Sequence, residues 1–278
     1  MWQVSYDNSP SVYVVPTPIG NLDDITMRAI NVLKTVSVVF CEDTRVTIQL
    51  LNHFGIKKKL IHMDDHNEDN VKFNILSYLR DGCSVAIVSD RGTPVISDPG
   101  YKTIRFLKSE GYNVVALPGA TAFVPALVAS GISSEHFLFY GFLSSKDKKM
   151  CDELTMLKDS EYSIVFYEAP HRIVRTLKKM LEIFGDRVIS ISREISKLHE
   201  SVFVGLISEA IATIDVKGEF VIVVSPCEEV VVNDMSIIEN VDMYIKSGLS
   251  SMDAIKRVAK ERKLSKSEVY SAYHDGRK

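Results

Sequence analysis

Val12-Tyr13-Val14-Val15-Pro16-Thr17-Pro18-Ile19-Gly20-Asn21 is an apolar β-type run that breaks into a loop stiffened by Pro and opened by Gly. The same kind of junction returns where Val85-Ala86-Ile87-Val88 runs into Ser89-Asp90-Arg91-Gly92-Thr93-Pro94. In an open α/β sheet such loops stand at the carboxyl ends of strands, where ligands bind. Gly lets the backbone approach a ligand closely and Pro restricts the loop's path. Neither loop carries GxGxxG or a Walker A pattern, so the reading is a nucleotide-type pocket that does not grip a pyrophosphate.

Working outward, residues 12–119 alternate β runs with amphipathic stretches. Strands are expected at Val12–Val15, Val36–Cys41, Leu60–His62, Val85–Ser89 and Val114–Leu117, and helices at Ile25–Leu33, Thr44–His53, Asn70–Arg80 and Lys102–Glu110. Val71, Ile75, Leu76 and Leu79 recur at helical spacing, and Gly55, Gly82 and Gly111 follow the later helices as C-terminal stops. This is the βαβ rhythm of a parallel sheet. A further helix is expected at Ala120–Ser130, closed by Gly131, and then a second set of strands begins: Phe137–Phe142, Ser163–Tyr167, Val188–Arg193 and Phe220–Ser225, with a helix at Arg172–Phe184. The fold class is therefore α/β, with a parallel-sheet N-terminal domain at residues 1–130, a smaller mixed-sheet domain at 131–229 and a small helical extension at 230–278.

In that extension, residues 226–234 read as a linker. Ser250 with Asp253 and Ser265 with Glu268 then open two helical patterns as capping boxes. Residues 256–278 carry a net charge of +5, from Lys256, Arg257, Lys260, Arg262, Lys263, Lys266, Arg277 and Lys278 against Glu261, Glu268 and Asp275. The whole chain is −3, so residues 1–255 are −8. That asymmetry fits a basic helical module on an acidic body, or a solvated helix pair. The overall charge excludes a polycation built to coat nucleic acid, so any such contact must be local. Cys41, Cys83, Cys151 and Cys227 form no CxxC pair, which speaks against a disulfide framework or zinc site and suits a reducing, cytoplasmic setting. Met1–Ser5 do not read as a signal peptide, and no apolar run is long enough to span a bilayer.

Polar or Gly/Pro clusters gather at the expected strand ends: Glu42-Asp43-Thr44-Arg45, Asp64-Asp65-His66-Asn67-Glu68, Ser89-Asp90, Leu117-Pro118-Gly119-Ala120-Thr121, Tyr167-Glu168-Ala169-Pro170-His171-Arg172 and Ser192-Arg193-Glu194. Together they fit one shared crevice. Singly they have plainer readings: the first could be a helix N-cap, and His171 a helix-start residue. His62 and His66 would make a metal pair only on a helix, and here they flank a strand-to-loop transition, so no metal is expected.

In this order, the clusters resemble the tetrapyrrole methylase superfamily. Within it the chain is similar to the bacterial enzymes that methylate the ribose 2′-hydroxyl of a cytidine in small-subunit (16S) ribosomal RNA. The resemblance is carried by Thr17–Thr26, Cys41–Arg45, His66–Glu68, Ser89–Pro94, Ile96–Gly100, Tyr167–Arg172, Arg193–Lys197, Gly218–Phe220 and the tail Val258–Arg262 with Leu264–Tyr270. It implies S-adenosylmethionine as methyl donor, held between the two domains, with ribosomal RNA as partner and a homodimer as the assembly. The resemblance assigns Pro18, Ser89, Asp90, Gly92, Thr93, Ile96, Ser97, Thr121 and Ala122 to the donor from the first domain. Phe166, Tyr167, Ser192, Arg193 and Glu194 would close on it from the second. Arg91 stands where the family commonly has a small residue, and could crowd the pocket, point to solvent or touch RNA.

The reaction so implied is an in-line displacement of the donor's methyl by the 2′ oxygen. A carboxylate or imidazole near that hydroxyl would assist. Glu42, His66, Glu168 and His171 are the candidates, with Arg45 able to hold phosphate through its fork and Glu42 with Arg45 placed first. The basic tail would attract phosphate, and the target nucleotide would enter the cleft unstacked. The competing readings are a same-fold methyltransferase for a tetrapyrrole or other small molecule, a non-catalytic RNA-binding relative, and a dinucleotide oxidoreductase, which lacks its fingerprint here.

Overall fold

The computed structural model describes residues 2–5, 7–227, 236–262 and 264–275. Met1–Ser225 form one compact unit and Pro226–Lys278 a second. The first sheet contains β1 (Ser11–Val14), β2 (Val38–Cys41), β3 (Lys59–His62), β4 (Val85–Val88) and β5 (Asn113–Ala116). Between these strands run α1 (Met27–Thr35), α2 (Thr44–His53), α3 (Glu68–Arg80) and α4 (Tyr101–Ser109). All pairings are parallel in the order β3-β2-β4-β1-β5. Such a sheet needs helices on both faces, because its strands are apolar on both. In β2, Val39 and Cys41 pack toward Ala29, Leu33 and Leu51, while Val38 and Phe40 pack toward Ile75, Leu79 and Leu107. Burying each such side chain contributes roughly 1.5–3 kcal/mol.

Two caps set the helix starts. Thr26 accepts the Ala29 N–H at 3.0 Å and Asp43 accepts the Arg45 N–H at 2.8 Å. The strand order reverses between β4 and β1, and there the two Pro/Gly loops meet. Thr17 and Gly92 exchange backbone hydrogen bonds of 2.9 and 3.0 Å.

The chain leaves this sheet through α5 (Phe123–Ala129) and builds a second sheet of β6 (Phe137–Phe142), β7 (Ser163–Glu168), β8 (Val188–Arg193), β9 (Ser201–Leu206) and β10 (Phe220–Val224). Its order is β6-β7-β10-β8-β9, parallel only between β6 and β7. One face carries Ile164, Phe166, Ile189, Ile191 and Ile222 under α6 (Asp147–Leu157), α7 (Ile173–Phe184) and α8 (Ile207–Thr213). The other carries Val165, Val221 and Val223 against α5. The mixed sheet agrees with the sequence reading, whereas β9, α6 and α8 are additions to it. The strand β9 is an edge whose residues are mostly exposed, so it lacks the apolar run that marks a buried strand.

The second unit holds α9 (Ile237–Lys246), α10 (Ser251–Glu261) and α11 (Lys266–Asp275) around Val241, Ala254, Ile255, Val258 and Tyr273. Ser265 and Glu268 form the expected reciprocal cap. Ser250 accepts the Asp253 N–H, but its hydroxyl meets the Asp253 carboxylate, which is too short to reach back to the backbone. Helix α9, absent from the sequence reading, has a full capping box of its own, Ser236 with Glu239. Residues 228–234 of the expected linker, and Lys263, Arg277 and Lys278 of the basic segment, lie outside the described residues.

Candidate active site

The loop after β4 is the centre of the site. The Ser89 hydroxyl turns back on the Arg91 and Gly92 carbonyls at 3.3 and 3.4 Å, and Thr93 Oγ1 donates to the Ala120 carbonyl at 3.0 Å. Further along, Val95 and Ser97 adopt φ of +76° and +66°, and Gly100 +127°. A β-branched residue in the left-handed region is costly, on the order of 1–3 kcal/mol, and persists only where surrounding contacts impose it. Ser97 reaches the second sheet at a bulge in β6, where Gly141 has φ of +80° and a Cβ would stand 3.1 Å from Ser97 Oγ.

From the other side comes the loop after β8. Glu194 and Ser196 hold φ of +53° and +69°, and Ser196 donates to Asp24 beside the first Pro/Gly loop. Lys197 bridges Glu194 at 2.8 Å and Glu219 at 2.9 Å, and Arg91 completes the chain of charges by pairing with Glu219. Arg91 is therefore a tie between the loop after β4 and the turn before β10.

These loops enclose a cavity of about 420 Å³, within the range of small-molecule sites. Of the residues expected at the donor, Gly92, Thr93, Ile96, Ser97, Thr121, Ala122 and Tyr167 line it. Pro18 stands next to the lining residue Ile19 without lining the cavity itself. Ser89 is buried beneath the turn, and Asp90 is occupied by the Asp43 N–H at 3.0 Å. Phe166 points the opposite way: strand side chains alternate, so with Tyr167 on the cavity face Phe166 enters the core under α6 and α7. Ser192 is the cross-strand neighbour of the lining residue Val221, buried, with its hydroxyl unpartnered. Arg193 turns away to the Lys217 carbonyl and Asp215, and Glu194 is held by Lys197 and the Glu219 N–H.

Among the residues expected to act on the substrate, only Glu168 lines the cavity. Its carboxylate is buried and engaged, by Thr176 Oγ1 at 2.6 Å, the Ala169 N–H at 2.8 Å and Arg172 Nε at 3.3 Å. Arg45 spends its fork on Asp43 at 2.6 Å and is exposed, in keeping with the N-cap reading. His66 and His171 are exposed and outside the lining. Neither does His62 pair with His66: its ring nitrogens meet the Glu42 carbonyl at 2.6 Å and Asp64 at 3.0 Å. Glu42 is not among the lining residues, and its carboxyl is raised by burial and then by the charge of Asp90.

Sequence reasoning passes over Asp98, Phe142, Ile195, Glu219 and Val221, all of which line the cavity. Asp98 and Glu219 sit in motifs quoted for the resemblance, so a signal is present. Phe142 and Val221 are ordinary strand residues and carry none. Burial pushes Asp98 up to about 6, with Glu42, Asp90 and Asp65 adding negative charge and only the Ser89 hydroxyl drawing it down.

A parallel sheet that opens at its switch point against a mixed sheet, with a part-apolar cavity and no phosphate-gripping loop, defines a two-sheet α/β protein with a small-molecule site. A family model for tetrapyrrole (corrin/porphyrin) methylases matches residues 11–211, and the chain belongs to that family. Ribosomal RNA small subunit methyltransferase I of Bacillus subtilis (strain 168) is 42% identical over 273 residues, covering 95% of this chain and 94% of that protein. The protein of the same name from Escherichia coli O157:H7 is 40% identical over 227 residues, 79% of each chain. Among solved structures, uroporphyrin-III-C-methyltransferase from Thermus thermophilus superposes with a TM-score of 0.56 at 18% identity, covering 78% of this chain and 94% of that one. The methyltransferase CobJ gives 0.60 at 19%, covering 78% and 95%. At such identities these two show the fold alone.

The chain is thus a methyltransferase whose methyl donor is S-adenosylmethionine. The residues present fit that molecule. Ile19, Ile96, Phe142 and Val221 offer apolar walls, Thr121 and Tyr167 offer polar contacts, and Asp98 offers a carboxylate to a cationic ligand. The one arginine in the lining is already neutralised by Glu219.

Proposed function

We propose that this protein methylates the ribose 2′-hydroxyl of a cytidine in small-subunit ribosomal RNA. One observation carries the reading. Likeness to proteins named ribosomal RNA small subunit methyltransferase I extends over 95% of the chain at 42% identity, whereas the general family model ends at residue 211. The donor supplies an electrophilic methyl on a positively charged sulfur. The protein's part is to hold the incoming oxygen in line and to accept its proton, and positioning of this kind can lower a barrier by roughly 7–11 kcal/mol.

On this reading the two sheets act as two domains, residues 1–130 and 131–229. The ion chain Arg91–Glu219–Lys197–Glu194 keeps the cavity's two walls in register, and Gly92, Thr93, Ile96, Ser97, Thr121, Ala122 and Tyr167 hold the donor. The helical extension contributes sequence-independent phosphate attraction through exposed cations such as Lys260 and Lys266. A homodimer working in the cytoplasm completes the proposal. Among the described residues no helix is long and apolar enough to cross a membrane.

The test offers purified protein and labelled donor either small ribosomal subunits or a porphyrin precursor, followed by nuclease digestion and mass mapping. Label in 2′-O-methylcytidine is expected. Label in the porphyrin and none in the subunit would overturn the reading.

A further inference from the structure

We infer that Glu68 is a positioning residue for the donor cavity: its buried carboxylate holds the start of α4, and through it the segment Ile96-Ser97-Asp98 that lines the cavity. This rests on the reading that Ile96 and Ser97 meet the donor, and goes beyond it by naming what holds them. Glu68 is 3% exposed and is not among the lining residues. Its Oε1 accepts the backbone N–H of Thr103, a fully buried residue 35 positions away, at 2.7 Å. A carboxylate that accepts from a first-turn N–H makes a charge-assisted bond, and the helix dipole favours its charge there. Helix α4 does not supply that partner itself, because Gly100 stands at its N-cap and has no side chain.

The chain fixes Glu68 from its own side. The turn after β3 is closed by the Asp64 carboxylate, which accepts the His66 and Asn67 N–H groups at 3.0 and 2.9 Å, and by Asn67 Oδ1, which accepts the Asp64 N–H at 2.9 Å. The Glu68 N–H donates to the Asp64 carbonyl at 3.0 Å as α3 begins. Helices α3 and α4 then share one core that contains Ile75, Leu79 and Leu107, and Phe73 meets Phe106 edge-on at 5.2 Å. The strain lies just before α4, where Val95, Ser97 and Gly100 all have positive φ. Gly100 packs so closely that a Cβ there would stand 3.1 Å from Val95 Cγ2. A segment of this kind persists only where its neighbours impose it, and Glu68 fixes the helix turn on which it ends.

Removing the acceptor leaves the Thr103 N–H buried without a partner. The first turn of α4 is then free to unwind toward water, and the segment before it relaxes away from positive φ. Ile96 and Ser97 no longer stand where the donor meets them. The loss falls on donor affinity, although Glu68 itself does not reach the cavity.

The experiment compares wild type, Glu68→Gln and Glu68→Leu by calorimetric titration with S-adenosylmethionine and by amide hydrogen exchange along the chain. Neither measurement involves RNA, so the outcome is independent of the proposed substrate. Gln keeps an acceptor oxygen, and Glu68→Gln is expected to bind the donor within about threefold of wild type. Leu fills the space without an acceptor. Glu68→Leu is expected to bind the donor at least about tenfold more weakly at unchanged stoichiometry, with faster exchange confined to residues 95–104. Donor affinity of Glu68→Leu within about threefold of wild type would overturn the proposal. So would faster exchange spread over the whole larger unit, the mark of a carboxylate that serves stability alone. If Glu68→Leu does not fold, Glu68→Asp, shorter by one methylene, decides by the same two criteria. In wild type, residues 95–104 should also exchange more slowly once the donor is bound. If they do not, the reading that Ile96 and Ser97 meet the donor fails, and the inference with it. If they do, beside an indifferent Glu68→Leu, the role of Glu68 fails alone.

Discussion

Replacing Asp98 with Asn should stabilise the protein above about pH 6 and leave it unchanged near pH 4. The carboxyl titrates at 3.8 in an unconstrained chain and at about 6 in the folded protein, raised chiefly by burial. A folded-state value above the unfolded one means that the group's contribution is most favourable below pH 3.8. That contribution is lost progressively as pH rises to 6, and the deficit is constant above. About two pH units at 1.36 kcal/mol each gives an upper figure of about 3 kcal/mol. The carboxyl is only partly buried, and solvent screening brings this to about 1.5 kcal/mol. Asn has nearly the same shape and carries no charge, so it escapes the deficit. The Asp98→Asn variant should therefore match wild type near pH 4 and exceed it by about 1.5 kcal/mol at pH 8, a rise of about 3–6 °C in the unfolding midpoint of the larger unit. Thermal and urea unfolding at the two pH values measure this directly. A variant no more stable at pH 8 than at pH 4, relative to wild type, would show that Asp98 is not held under electrostatic pressure. A gain in stability is expected wherever a site keeps a destabilised group for its function.

The same geometry sets three other expectations. Glu42→Gln removes a like charge near Asp98, so the Asp98 carboxyl should titrate at lower pH in an NMR titration; an unmoved titration would show that the two carboxyls do not interact. Gly218→Ala puts a Cβ 2.5 Å from Glu194 Cγ at a position with φ of +93° and should cost roughly 1–3 kcal/mol in urea unfolding, with an unchanged midpoint showing that the turn relaxes freely. Deleting residues 234–278 should weaken RNA affinity and flatten its dependence on salt by about 0.7 in log–log slope for each phosphate that the tail neutralises, and an unaltered slope would remove the tail from RNA attraction.

Local sequence is enough to place most elements. Strand β6 at Phe137–Phe142, β8 at Val188–Arg193 and α2 at Thr44–His53 have the bounds that alternation, apolar runs and flanking breakers imply. These signals lie within a dozen residues of one another, and the backbone obeys them before any distant contact forms. Where burial is slight the signal fails: β9 is an exposed edge, and α9 escapes a reading by periodicity although Ser236 and Glu239 form its capping box. The two Pro/Gly loops likewise mark the mouth of the site, since a stiff turn after an apolar strand is a local feature.

Folding alone decides which side chains face that mouth. Phe166 and Tyr167 are neighbours in sequence, and the pleat sends one into the core and the other to the cavity. Arg91 is open to three readings until it meets Glu219, a residue 128 positions away. Asp98 stands in a motif without a role until Glu42, Asp65 and Asp90, from three separate strand ends, gather around it in a poorly solvated pocket. Periodicity is a property of a segment and survives in one dimension. Charge, burial and access depend on which segments the sheet order brings side by side, so they exist only in the folded chain.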